Sequence, residues 1–297
     1  MNHLRALLPF AKIVVFSLLF IFMHIVLVAP LLMSGVLTGA DLEREDNWFR
    51  LATLAVSLLA TVLSILVANR LAKGWKPSLA TLGVTSSIIK STGTGLLVGA
   101  ALISLCFMVI ITVGDGQLSF FGFPTAALFS LLLVFVVVSL SEELLSRGYL
   151  LPYLKKHYGA TWAIAISSLI FTAMHLGNDH LNTIGLLSIF LAGVLLAQLR
   201  LIYHNLWVPI GVHITWNYFQ GAVFGFAVSG NATESILVPT FETPSLINGG
   251  AFGIEGSIIT VIVLSGSVVV LARLLYFRSE KPAQTIEITS EEMSRAA

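Results

Sequence analysis

The chain has 297 residues, 57% of them hydrophobic and only 10% charged, with a formal net charge of +1. Soluble domains carry about 25% charged residues, so a chain this apolar would expose large sticky patches in water, and lipid is the solvent it suits. The near-zero charge argues against a general attraction to nucleic acid, and the lone cysteine, Cys106, excludes an intrachain disulfide and a Cys-rich structural zinc site.

A helix needs about 20 apolar residues to cross the hydrocarbon core. Eight segments meet or approach that length: 13–33, 51–68, 93–113, 126–154, 162–175, 183–199, 206–228 and 256–272. The first is too long for a typical signal-peptide core and reads as a transmembrane helix. Its His24 is expected to bond a neighbouring helix. An acidic run, Asp41 to Asp46, follows as a solvated loop. Segments 51–68 and 93–113 are plain apolar spans. The fourth, fifth and seventh segments carry the unusual polar residues, and 229–255 is the longest connection. Residues from Arg278 onward form a polar tail, expected to be disordered. There is no internal repeat and no low-complexity segment. The predicted fold is all-α, a polytopic membrane protein of about eight transmembrane helices with its site in a helix-bundle cavity. Three parts are expected: helices 1–3 over residues 1–120, a catalytic core over 121–230, and an external loop, last helix and tail over 231–297.

Lys and Arg are retained at cytoplasmic ends. With the N-terminus inside, Arg5, Lys12, Arg70, Lys73, Lys76, Lys90, Lys155, Lys156, Arg200, Arg273, Arg278, Lys281 and Arg295 all fall inside, and only Arg44 and Arg50 fall outside. Both termini are therefore expected in the cytoplasm, and the setting that fits is a bacterial cytoplasmic membrane.

A charged side chain near the bilayer centre costs roughly 2.5 kcal/mol or more, so an ionisable cluster there points to function. Glu142, Glu143 and Arg147 form such a cluster. Glu143 and Arg147 are four apart and share a helix face. Glu142 lies about 100° round the helix and points elsewhere. The plain alternative for Glu143 and Arg147 is an ion pair that locks packing. His175 ends the fifth segment, a place where a lone histidine is commonly just interfacial. His213 and Asn217, four apart in the seventh segment, project from one face, and an interhelical hydrogen bond would also explain them. By helical rise all four can meet between the midplane and the cytoplasmic half. No serine or cysteine has a histidine at helical spacing, which disfavours an acyl-enzyme. A carboxylate and a histidine can hold and deprotonate water, and a histidine with an amide can support an oxyanion. Glu142, His175 and His213 could also bind zinc, although an H-E-x-x-H helix is absent.

Three motifs together, E-E-x-x-x-R (Glu142, Glu143, Arg147), F-x-x-x-H (Phe171, His175) and H-x-x-x-N (His213, Asn217), resemble the CAAX protease and bacteriocin-processing family. That family includes the Ras-converting CAAX endopeptidase and the Abi proteins. The likeness covers residues 126–218. One departure is Ser146, where the family often has an aromatic residue. The resemblance implies an eight-helix intramembrane endopeptidase with a cavity open to the cytosol. Glu142 would activate water, His175 would help hold it, and His213 with Asn217 would stabilise the oxyanion. Glu143 and Arg147 would support the geometry. Family members have been described both as metalloproteases and as glutamate proteases, and the metal question stays open here. The implied partners are a peptide or membrane-protein substrate and the lipid bilayer. Competing readings are a proton-coupled transporter, which the absence of an inverted repeat disfavours, and a non-catalytic immunity or adaptor protein of the same fold. His180 and His204 are assigned no role.

Overall fold

The computed structural model describes residues 2–33, 47–71 and 75–279. The expected acidic loop, Arg44, Lys73 and the tail beyond 279 lie outside the described residues. In chain order the elements are α1 (Asn2–Met33), α2 (Asn47–Leu71), a short α3 (Leu79–Leu82), α4 (Ile88–Val113), β1 (Gln117–Phe120), α5 (Thr125–Glu143), α6 (Leu151–Ala173), α7 (Thr183–Tyr203), α8 (Trp207–Tyr218), β2 (Leu237–Thr240) and α9 (Ile258–Ser279). The two short strands pair antiparallel, with Gln117 opposite Thr240. All else of length is helix, as expected for an all-α membrane protein.

Among the described residues, five helical stretches are long and apolar enough to cross a membrane: Phe49–Arg70, Ile88–Val113, Thr125–Ala173, Thr183–Tyr203 and Ile258–Arg278. The difference from eight has local causes. The expected fourth and fifth segments form one 49-residue stretch, broken only at Gly159, whose backbone (φ 80°, ψ 173°) is not helical. Only glycine enters that conformation cheaply, so the break sends the chain back into the bundle. The expected seventh segment becomes the 12-residue α8, continued by a π-turn from Phe219 to Val223. Twelve residues rise only about 18 Å, so α8 is a buried rod rather than a lipid-facing span; every residue from Val208 to Asn217 is buried.

Small residues hold that rod in place. Gly95 and Gly99 on α4 face α8 so closely that a Cβ on Gly95 would overlap the Val208 carbonyl. One on Gly99 would meet Val212 and Thr215. Thr215 Oγ1 donates back across the contact to the Leu96 carbonyl at 3.0 Å. Glycines four apart let helix backbones touch, and here they fix the height of the helix that carries His213. On the other flank, α2 lies along α5, with Thr61 Oγ1 and Ser141 Oγ 3.2 Å apart. As expected, His24 bridges helices, its Nε2 lying 3.1 Å from Ser57 Oγ on α2.

The bundle has two unlike ends. At one end, Arg200 donates to the Thr81 carbonyl at 2.9 Å, Arg278 to the Ile202 carbonyl at 2.6 Å and Tyr153 to the Pro9 carbonyl at 3.3 Å. Lys156 sits over the Trp75 ring. At the other end lie the two strands, the 176–182 connection and the 224–257 connection, clasped by Asn178 Nδ2 to the Ser229 carbonyl and Gly230 N–H to the Phe252 carbonyl, each 3.2 Å.

The α4–α8 contact makes a prediction. Gly99→Val drives a branched side chain into the α8 backbone and should cost about 1–3 kcal/mol, read as a lower unfolding midpoint in detergent. Gly93→Ala, which meets nothing within 4 Å, should not lower it.

Candidate active site

The C-terminal end of α5 delivers two adjacent glutamates to different surroundings. Glu143 points into the protein and is fully buried, as is Arg147. Arg147 Nη1 donates to Glu143 Oε1 at 2.8 Å, and Arg147 Nη2 donates to the Gly193 carbonyl on α7 at 3.0 Å. The guanidinium also lies 4.2 Å from the centre of the Phe171 ring. From Leu144 to Leu150 the helix widens to π geometry. A second π-turn begins two residues after Asn217. Such turns re-aim a helix and recur at functional sites; here they flank the site on both contributing helices.

Glu142 faces a cavity instead. Its Oε2 lies 4.0 Å from Nε2 of His175 and 4.0 Å from Nε2 of His213. The other ring nitrogens are engaged. His175 Nδ1 is 2.8 Å from the Phe171 carbonyl, and His213 Nδ1 is 3.1 Å from Glu143 Oε1. A carbonyl and an ionised carboxylate can only accept, so both Nδ1 atoms carry the hydrogen. In the neutral ring each Nε2 is then a bare lone pair turned toward Glu142. Glu142 Oε2 itself has no hydrogen-bond partner within the protein. Three acceptors thus converge on one spot, and a water molecule, with its two protons, suits the 4.0 Å gaps as a bridge. Asn217, one turn beyond His213, lines the same cavity.

The same donor set suits a zinc ion chemically, two imidazole nitrogens and a carboxylate oxygen, with Glu143 orienting His213 from behind as metal-site carboxylates do. Tetrahedral zinc ligands stand about 3.4 Å apart, so Glu142 would have to draw in toward each imidazole from 4.0 Å. Among the described residues no such group already stands at metal-binding spacing.

The cavity holds about 390 Å³ and is lined by α2, α5, α6, α7, α8 and the connections at the strand-bearing end. Each residue singled out in the sequence has its place. Glu142, His175 and His213 meet, Asn217 joins them on the wall, and Glu143 and Arg147 stand behind. Ser146 is buried with its hydroxyl unpartnered. His180 and His204, unassigned earlier, sit in left-handed backbone conformations (φ 58° and 54°) in connections away from this cluster.

Glu255 is the residue that motif reading missed. It lines the cavity, and its Oε2 accepts from the Ser229 N–H and Oγ–H, both at 2.7 Å, and from Gln220 Nε2 at 3.4 Å. Ser229 takes a left-handed φ of 47° to present both donors. Burial pushes the Glu255 carboxyl above its ordinary value of 4.5, against the lowering by Ser229 and His175. The only sequence signal was an acid isolated in a glycine-rich apolar run, 249–256.

Residues 124–219 match the family model described as "Type II CAAX prenyl endopeptidase Rce1-like". This segment, which holds all seven motif residues, is similar to the family that the motifs resemble. No curated protein matches the chain.

Two predictions test the electrostatics. Arg147→Met strands a buried carboxylate and should cost about 3–5 kcal/mol, with much of the loss restored in the Glu143→Gln, Arg147→Met double variant; unfolding midpoints of the full cycle measure it. For Glu255, a raised carboxyl pKa means the folded state holds its proton more tightly than the unfolded chain does. Its contribution to stability is then complete below about 4.5 and declines as pH rises through the elevated value. Glu255→Gln lacks this decline, so the variant's midpoint should gain on wild type as pH increases from 4.5.

Proposed function

We propose that the protein is an intramembrane endopeptidase that hydrolyses a peptide bond with water activated by Glu142. The observation that carries this reading is the approach of Glu142 Oε2 to both imidazole Nε2 atoms at 4.0 Å. The family match over residues 124–219 supports it at the level of a CAAX-protease-like enzyme.

The chemistry follows from the hydrogen-bonding roles. A water between Glu142 Oε2 and His175 Nε2 donates one proton toward each, which leaves a lone pair aimed at the substrate carbonyl. Glu142 takes the proton as oxygen attacks carbon. His213, in its protonated form, donates Nδ1–H to Glu143 and Nε2–H into the cavity. Together with the Asn217 amide it stabilises the oxyanion. Glu142 then returns its proton to the leaving amine, and the carboxylate is regenerated. Glu143 and Arg147 touch no reacting atom in this scheme; Glu143 accepts Nδ1–H of His213 and so keeps its Nε2 turned to the cavity, and Arg147 holds Glu143. Zinc, if bound by Glu142, His175 and His213, would supply Lewis-acid polarisation of the attacking water.

General-base catalysis contributes about 10²–10⁴-fold, so Glu142→Ala and Glu142→Gln should each lose activity on that scale or more while remaining folded. His175→Ala and His213→Ala should do likewise. The measurement compares membrane peptidomes from cells expressing wild type and Glu142→Ala, followed by purified-protein assays on the peptides that differ. Normal processing by Glu142→Ala would falsify the scheme.

A further inference from the structure

The two ends of the bundle differ in charge as sharply as in shape. Among the described residues, Lys12, Arg70, Lys76, Lys90, Lys155, Lys156, Arg200, Arg273 and Arg278 all lie toward one end, with no acid among them. Contacts between Arg200 and Thr81, and between Arg278 and Ile202, show that these belong to a single layer. The opposite end carries Asp115, Asp179, Glu234, Glu242 and Glu255, with Arg50 as the only Lys or Arg among the described residues. Basic residues in short loops flanking spans stay in the cytoplasm during insertion, which assigns the basic layer to that side.

The cavity has a direction relative to these layers. On α5 its lining runs from Glu142 back through Val138, Val134 and Leu131, about 16 Å along the helix toward the acidic end. It continues to Arg50, Asn178, Asn231 and Thr233, all at that end, and Asn231 is exposed. No lining residue belongs to the basic layer. Between Glu142 and the basic layer lies a dry plug: Leu145, Tyr149, Leu150, Leu151, Tyr153 and Leu154, each at most 4% exposed and packed with Trp75, Leu82, Ala163 and Ala197.

We propose that the cavity admits its substrate from the membrane face opposite the cytoplasm, and that the substrates are exported polypeptides or externally exposed segments of membrane proteins. This differs from the cytosolic opening that the family resemblance implies. What is cut rests on the hydrolytic reading; which face is open does not.

The test uses single cysteines in the full chain with the buried Cys106 replaced by alanine. Ala232→Cys and Gln117→Cys mark the acidic end, and Ala80→Cys marks the basic end; all three positions are exposed. Spheroplasts are treated with a membrane-impermeant maleimide before and after permeabilisation. Ala232→Cys and Gln117→Cys should label before permeabilisation, and Ala80→Cys only after it. Labelling of Ala80→Cys in intact spheroplasts, alone or equally with the other two, overturns the proposal. The readout needs no catalysis, so it stands even if Glu142→Ala proves active. In the peptidome comparison, cleavage sites that depend on Glu142 should map to external segments; a cytoplasmic majority counts against the assigned substrate class.

Discussion

A fully buried carboxylate, Glu143, is the constraint around which the site is organised. Removing an ion from water costs several kcal/mol even after relaxation, and the cost is offset only where geometry is close. Here one oxygen receives both the Arg147 guanidinium and His213 Nδ1–H. The guanidinium reaches on to the Gly193 carbonyl of α7 and stacks on Phe171 of α6. One charge pair therefore ties α5, α6, α7 and α8 together at a single depth. It also decides which nitrogen of His213 is left to face Glu142. The neighbouring glutamate, about 100° away round the helix, meets a cavity and faces both imidazole Nε2 atoms. Adjacent identical residues thus acquire opposite roles from one helical step.

Such a pair can act only if α8 is positioned to within a few tenths of an ångström, and α8 is too short to be placed by the bilayer. Its position comes from contact with α4, where Gly95 and Gly99 leave no room for a side chain. In lipid the hydrophobic effect does little to join helices, so close van der Waals fit and interhelical hydrogen bonds carry association. The Thr215 bond to the Leu96 carbonyl belongs to the same contact. The glycines and the buried ion pair are complementary parts of one device: the first sets the height of His213, the second its rotation and tautomer.

The convergence of the candidate residues was largely legible in the sequence because charge in an apolar stretch is rare and helical spacing is simple. Glu142, Glu143, Arg147, His213 and Asn217 could be assigned to faces by counting residues. His175 was less certain alone, since span ends commonly carry histidine; its meaning comes from Glu142, 33 positions earlier, and no periodicity links them. The extent of the helices was harder. Hydropathy separates 126–154 from 162–175 at Lys155 and Lys156, and the chain does turn between them at Gly159, although helix runs up to the break from both sides. Hydropathy also stretched the seventh segment to Val228, where the apolar residues continue but the backbone leaves the helix after Val223. Glu255 was missed for a related reason. It belongs to no motif, and its significance depends on a left-handed serine and a folded connection that pattern reading does not resolve.

A polar cavity inside a membrane sets up a conflict between admitting water and keeping the bilayer sealed. The two ends of this molecule resolve it asymmetrically. Toward the acidic end the wall includes Glu142, His175, His213, Asn217, Asn231 and Glu255, polar groups enough to keep a cavity of about 390 Å³ wet. Toward the basic end the route closes on leucine and tyrosine packed against tryptophan, where water would lose hydrogen bonds it cannot replace. The Glu143 and Arg147 pair sits at the boundary, and each charge is paired with the other rather than with solvent. Water can reach Glu142 from one side without a continuous wet path to the other, so the packing that fixes the geometry of the cluster also opposes proton leakage.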